Sequence, residues 1–187
     1  MSGSGLLSSA ITTSELHSVS IRGNVVGTLA RPFLIGAYGS IAKLAIGGDA
    51  EFLIIDCGGT QSTFSPNPDA QIGSVTVGGN WIASSIAAGV AATNGLFGDS
   101  DDTKVTGSFD DPEVVSRIAS ITIKGRAFGT IGGTDHFGFV AQKIGSLTIG
   151  GEVIALAKRA GNDDLDANDP LFLIGTTNDM RVHEIAL

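Results

Sequence analysis

The chain has few of the residues on which common catalytic and binding sites depend. Its 187 residues include one cysteine, one tryptophan, one tyrosine and three histidines, and only 16% of them are charged. The single cysteine, Cys57, excludes an intrachain disulfide and a zinc site built from several thiolates. No uninterrupted apolar run reaches the length of about 18 residues that a transmembrane helix needs, so we expect no membrane insertion.

Basic residues are also scarce. Lysine and arginine together number 11 against 19 aspartates and glutamates, which gives a formal net charge of −8. An acidic surface repels phosphate backbones, and no basic cluster offsets it, so we expect no nucleic-acid partner. The first residues lack the basic and apolar regions of a signal peptide, so an export signal would lie outside this sequence.

Glycine, in contrast, is abundant, and part of it belongs to an internal repeat. An apolar residue, two small or polar residues, an apolar–polar–apolar triplet, one variable residue and a glycine recur in this order five times. The copies begin 25, 31, 46 and 26 residues apart. They are Leu16–Gly23, Ile41–Gly48, Ile72–Gly79, Ile118–Gly125 and Ile144–Gly151.

The alternation within each copy is typical of a strand with one buried face. The side chains predicted to point inward are Val19 and Ile21, Leu44 and Ile46, Val75 and Val77, Ile121 and Ile123, and Leu147 and Ile149. Two further short strands fit between consecutive copies. The sequence therefore predicts an all-β parallel β-helix, a solenoid of about five triangular coils of roughly 25 residues with loop insertions. A leucine-rich repeat and an antiparallel sandwich fit the pattern less well.

The repeat also suggests a domain organisation. Residues 1–15 are expected to form a leader or an N-terminal cap, and residues 16–187 a single β-helix domain. Two segments interrupt the repeat: a long insertion at 87–111 and an acidic loop at 161–169. Because a solenoid tolerates insertions at its corners, we expect any specific function to lie in these two segments.

Both irregular segments are rich in carboxylates. Asp99, Asp101 and Asp102 lie in the first, and Asp163, Asp164 and Asp166 lie in the second. Clustered carboxylates are ligands for a hard cation such as Ca²⁺, although neither segment matches an EF-hand loop. Asp and Asn also stabilise turns without a metal. The sequence leaves both interpretations open and predicts no other cofactor.

No catalytic motif is recognisable. The chain contains no nucleophile elbow, no phosphate-binding loop and no His-Glu-x-x-His motif, and the adjacent Asp135 and His136 have no nucleophile beside them in sequence. A polysaccharide-active lyase or hydrolase is the main enzymatic alternative, but it would need carboxylates on the strands. The outward Ser and Thr pairs of the repeat, such as Ser74 with Thr76 and Ser146 with Thr148, raise ice binding as a third hypothesis.

The repeat, the insertion from Ala87 to Asp102 and the segment from Gly161 to Ile185 give the chain a family resemblance. It resembles the C-terminal coils of large repetitive parallel β-helix proteins of bacteria such as planctomycetes, which are exported or surface-associated. Autotransporter passengers and haemagglutinin-like adhesins share that architecture. The resemblance implies a non-catalytic structural or adhesive module outside the cell or on its surface. The resemblance itself gives no ligand and no catalytic residues, but an adhesive role would take a glycan or cell-surface ligand. Because an open β-helix end exposes unpaired strand edges, self-association through coil ends is a further hypothesis.

Overall fold

The computed structural model describes residues 6–7, 10–59, 66–107, 110–133, 135–166 and 177–186, with the backbone alone at 6–7. These ranges form twenty strands and no helix, so none of their segments is a candidate membrane-spanning helix. The strands are β1 (Leu6–Leu7), β2 (Ala10–Leu16), β3 (Val19–Ile21), β4 (Val25–Val26), β5 (Phe33–Ile46), β6 (Ala50–Glu51), β7 (Leu53–Cys57), β8 (Gln71–Val77), β9 (Trp81–Ile82), β10 (Ser85–Ala88), β11 (Val90–Ala91), β12 (Thr103–Lys104), β13 (Arg117–Ile123), β14 (Ala127–Phe128), β15 (Phe137–Ala141), β16 (Lys143–Ile144), β17 (Leu147–Ile149), β18 (Glu152–Ile154), β19 (Asp164–Leu165) and β20 (Met180–Glu184).

The described strands form one large sheet and two smaller ones. The large sheet follows the order β18-β17-β13-β8-β5-β7-β10-β15-β20-β19, while β2 and β3 pair with β5, and β16 pairs with β13. A second sheet has the order β1-β4-β6-β9-β14, and all its pairs are parallel. The third is the antiparallel pair of β11 and β12.

The predicted parallel β-helix of about five triangular coils is wrong. The ten strands in the main order of the large sheet form a curled, mixed half-barrel rather than a solenoid of parallel coils. Its outermost strands β18 and β19 run antiparallel to their neighbours. Strand β5 runs unbroken from Phe33 to Ile46 and pairs with β7 along its first half and with β8 along its second. Strands that a triangular coil would divide between separate faces therefore belong to one continuous sheet.

The length of β5 explains why the predicted solenoid is wrong. Its centre, from Gly36 to Ser40, contains two glycines, and glycine is typical of the corners that a triangular coil needs between its strands. Glycine in a strand also permits a sharp bend without ending the strand, and no proline removes a hydrogen-bond donor there. Strand β5 therefore continues through Gly36 and Gly39, and its partner changes from β7 to β8 between Ala37 and Ser40.

The repeat copies lie side by side in parallel register within this sheet. Their central apolar residues form two rows, Val19-Leu44-Val75-Ile121-Leu147 and Ile21-Ile46-Val77-Ile123-Ile149. In the last four copies these side chains are at most 2% exposed, whereas Val19 and Ile21 of the first copy are only half-buried. The apolar core is thus complete beneath β8 and β13 and incomplete at the edge formed by β2 and β3.

Asparagine and aspartate side chains fix the corners that follow the repeat glycines. Asn24 Oδ1 accepts from the Asp49 backbone N–H at 3.0 Å, and Asp49 Oδ1 accepts from the Asn80 N–H at 2.6 Å. Asn80 Oδ1 continues the series by accepting from the Arg126 N–H at 3.0 Å. Part of the Asx content of the repeat is therefore structural, as its turn chemistry predicts.

Candidate cation site

The insertion between the third and fourth repeat copies is held firmly to the body of the protein. Strands β11 and β12 pair and close a loop of residues 92–102, which we call the acidic loop. Phe97, at its centre, is 1% exposed and packs in a second apolar cluster with Val90, Val140 and Ile185. Burial of this ring anchors the acidic loop on the outer surface of the main sheet.

Gly98 fixes the approach of the acidic loop to the start of β15. Its φ of +103° lies in a region that residues with a side chain rarely adopt. A Cβ at this position would lie 2.5 Å from the backbone oxygen of Phe137, closer than atoms can approach. Only glycine fits here, and the position of Gly98 determines where the carboxylates that follow it lie.

Three aspartates converge in the second half of the acidic loop. Asp99, Asp101 and Asp102 each offer one carboxylate oxygen, and these oxygens lie within 4.8 Å of one another. Among the residues that the structure describes, no other set of three or more acidic, histidine or cysteine ligands comes together in this way. The structure thus brings together the first three predicted ligands.

Hydrogen bonds hold two of these carboxylates in place. Asp99 Oδ1 accepts from the Asp101 N–H at 3.0 Å, and Asp99 Oδ2 accepts from the Asn94 side-chain amide at 2.7 Å. Asp101 Oδ2 accepts from the Thr93 hydroxyl and from the Asn94 backbone N–H. The loop backbone thereby orients both carboxylates without neutralising their charge.

Two buried oxygens of the cluster have no hydrogen-bond partner. Asp102 is only 6% exposed, and while its Oδ2 accepts from the Gly98 N–H at 2.6 Å, its Oδ1 has no partner. Asp101 Oδ1 is likewise buried and without a partner. Asp69 and Asp179 also have one such oxygen each, but neither belongs to a cluster of three carboxylates. Only the acidic loop combines unpartnered oxygens with several negative charges in the described part of the chain.

The local environment shifts the pKa values of Asp99 and Asp102 in opposite directions. Burial, together with the charges of Asp99 and Asp101, raises the pKa of Asp102 to about 7 against the opposing effect of the hydrogen bond from Gly98. Burial opposes the ionisation of Asp99 as well, but hydrogen bonds with Asp101 and Asn94 and the nearby His136 hold its pKa below the usual range. Asp102 therefore takes up a proton at a higher pH than Asp99 does.

The second predicted set of ligands is dispersed. Both oxygens of Asp163 accept from the Ala157 N–H, at 3.0 and 2.9 Å. Asp164 forms an ion pair with Arg181 at 3.2 Å, and its Oδ1 lies 3.4 Å from His183 Nδ1. Asp166 lines a separate polar cavity that Arg181 also lines. These three carboxylates have protein partners and do not converge on one point; residues 167–169 of this predicted loop lie outside the described residues.

The cysteine and two of the histidines lie next to other protein groups. Burial raises the pKa of Cys57 to about 12, and its thiol donates to the backbone oxygen of Gln71 at 3.8 Å. Such a thiol is not ionised near neutral pH and does not act as a nucleophile. His136 lies beside Asp99, and His183 contacts Asp164.

The outward positions of the repeat strands carry small polar side chains. Two rows follow the register of β3, β5, β8, β13 and β17, namely Lys43-Ser74-Ser120 and Ser20-Ala45-Thr76-Thr122-Thr148. Neither row contains a carboxylate pair of the kind that glycoside hydrolysis requires. Ice binding by these hydroxyls remains a prediction.

The sequence did not single out the residues that support the three aspartates. Thr93, Asn94 and Gly98 supply or position the hydrogen bonds described above, and Phe97 supplies the anchor. The glycine directly before Asp99 and the Asn94-Gly95 turn are the signals in the sequence that point to this geometry. Comparisons with protein-family models, with the curated proteins and with the solved structures find no match to this chain.

Proposed function

We propose that this chain is a non-catalytic structural or adhesive module of an exported or cell-surface bacterial protein, and that its acidic loop binds Ca²⁺. One observation carries the cation site. The carboxylate of Asp102 is more than nine-tenths buried, has an oxygen without a partner, and lies beside two further carboxylates.

Electrostatics supports this proposal. A buried carboxylate without compensation is strongly unfavourable, and like charges a few ångströms apart increase the penalty. Lys104, the lysine nearest in sequence, forms an ion pair with Asp110 at 2.7 Å. A bound divalent cation would give the free oxygens of Asp101 and Asp102 a partner and would offset most of the negative charge of the loop.

The donor atoms favour calcium. Carboxylate oxygens select hard cations over the transition metals that prefer nitrogen and sulfur. Ca²⁺ accepts six to eight oxygen ligands in a flexible geometry, while Mg²⁺ demands a near-ideal octahedron and gives up its water reluctantly. Three carboxylates on one irregular loop suit the larger and more tolerant ion. The remaining coordination positions would be filled by water.

The proposed role of the ion is to stiffen the loop. The acidic loop is anchored at Phe97 and closed by β11 and β12, so an ion held by Asp99, Asp101 and Asp102 would tie its second half together. Sites with few carboxylates bind calcium in the range of about 0.1–1 mM typical of extracellular modules. This affinity suits the extracellular or surface location that the sequence resemblance implies.

Thermal unfolding with and without calcium tests the proposal. At a calcium concentration about fifty times the dissociation constant, binding should stabilise the native state by about 2 kcal/mol, which raises Tm by about 4–8 °C. The Asp101→Asn variant keeps an oxygen acceptor for Thr93 and Asn94 but loses a charged ligand, so its Tm should not respond to calcium.

Asp164→Asn is the matched control, since it removes an aspartate from the dispersed second set. This variant should retain the full calcium response, and magnesium should shift the Tm of the wild type by less than calcium does. A wild-type Tm that is the same in calcium and in chelator would overturn the proposal. So would a response that is lost in Asp164→Asn and retained in Asp101→Asn.

A further inference from the structure

Strands β2 and β3 form an open edge of the main sheet. Both pair in parallel with β5 on one side. On their other side, no strand of the described residues pairs with them. Their outward backbone groups are therefore available for another strand, and such an edge is a template for pairing with a second chain.

The apolar face of this edge is only partly covered. Its inward-pointing side chains are half-buried, whereas the neighbouring side chains of β5 in the same rows are at most 2% exposed. The half-buried set is Ile11, Leu16, Val19 and Ile21, and their neighbours in β5 are Ile35, Ile41, Leu44 and Ile46. A strand added at this edge would extend the core by one row and bury the first set.

We propose that a second copy of this chain occupies the edge, with β2 and β3 of the two copies pairing antiparallel about a two-fold axis. The axis passes between Ser18 and Val19, at the start of β3 and directly after the two residues that separate β2 from β3. In this register Glu15 of each copy faces Arg22 of the other, and Leu16 faces Ile21. A two-fold axis forms each of these contacts twice.

Charge and side-chain direction select this register. Glu15 and Arg22 are both exposed and carry opposite charges, while Leu16 and Ile21 both pack towards the core. Opposite charges that face one another across antiparallel strands stabilise the pair, and like charges destabilise it. A slip of one residue in either direction places Glu15 opposite Ile21 or Arg22 opposite Leu16, which matches a charge with an apolar side chain.

Sedimentation velocity over a range of protein concentrations, in chelator, tests this inference independently of the calcium site. The wild type should be a dimer at about 100 μM. Glu15→Arg and Arg22→Glu should each weaken dimerisation about tenfold or more, because each places like charges opposite one another at two symmetric positions. The double variant Glu15→Arg/Arg22→Glu restores opposite charges and should restore the dimer.

Glu113→Arg is the control, since Glu113 is exposed and lies outside β2 and β3. This variant should dimerise as the wild type does, and circular dichroism should show that all variants fold alike. A wild type that is monomeric throughout the range would overturn the inference. Open-ended assembly, or a double variant that remains as weak as the single ones, would overturn the proposed two-fold register.

Discussion

Replacing Asp102 by asparagine should stabilise the calcium-free protein, and the gain should grow as the pH rises from about 4 to about 7. In an unfolded chain an aspartate titrates near pH 4, whereas burial raises the pKa of Asp102 to about 7 in the folded protein. Between these values the folded protein binds the proton more tightly than the unfolded chain does. The contribution of Asp102 to the free energy of unfolding therefore falls as the pH rises.

The size of the effect follows from the shift. A difference of about three pKa units corresponds to up to about 4 kcal/mol, fully developed above pH 7 and absent below about pH 4. Asparagine is neutral at every pH, and its oxygen can accept the hydrogen bond from Gly98. The variant therefore lacks the penalty while keeping the contact.

Denaturant titrations in chelator measure this difference. They compare the wild type with Asp102→Asn at several pH values from about 4 to 8. Other titrating groups cancel in the comparison because both proteins carry them. At pH 8, added calcium should raise the free energy of unfolding of the wild type and leave that of the variant unchanged. A difference in unfolding free energy that is constant with pH would show that Asp102 ionises as an ordinary exposed aspartate does.

Gly98→Ala should be strongly destabilising and should also abolish the calcium response. The methyl group would meet the backbone oxygen of Phe137 at 2.5 Å, and the φ of +103° is itself unfavourable for alanine. Relief of this contact requires Gly98 to move away from β15, which takes its N–H away from Asp102. We expect a loss of about 3 kcal/mol in the free energy of unfolding.

The Gly151→Ala variant measures the cost of an unfavourable φ in the absence of a steric clash. Gly151 has a φ of +86°, but a Cβ there would have no atom within 4 Å. This variant should lose about 1 kcal/mol from the backbone conformation alone and should bind calcium as the wild type does. Urea unfolding of both variants, with calcium titrations of each, checks the prediction. Equal losses in the two variants would contradict the proposed packing of Gly98 against β15.

The sequence predicted strands more reliably than it predicted how they join. The alternation in the repeat places Leu44, Val75 and Ile121 in one buried row, as strand geometry requires. The same local pattern does not specify whether a strand ends or continues at Gly36 and Gly39, because glycine permits both. The continuous β5 that results changes the predicted solenoid into a curled sheet.

A similar limit applies to the acidic segments. The stretches around Asp101 and Asp164 have similar compositions, so the sequence raises the same calcium hypothesis for both. Asp164 meets Arg181 and His183, which lie 17 and 19 residues farther along the chain. Asp101 has an oxygen with no partner at all. Contacts between segments distant in sequence decide which aspartates are neutralised, and no local motif encodes them.

A crystal structure of the chain grown in calcium at about ten times the dissociation constant tests the central claim most directly. The account predicts an ion bound by oxygens of Asp99, Asp101 and Asp102 at about 2.3–2.6 Å, with water completing its coordination. Calcium bound elsewhere, with Asp101 Oδ1 and Asp102 Oδ1 paired to protein groups, would contradict it.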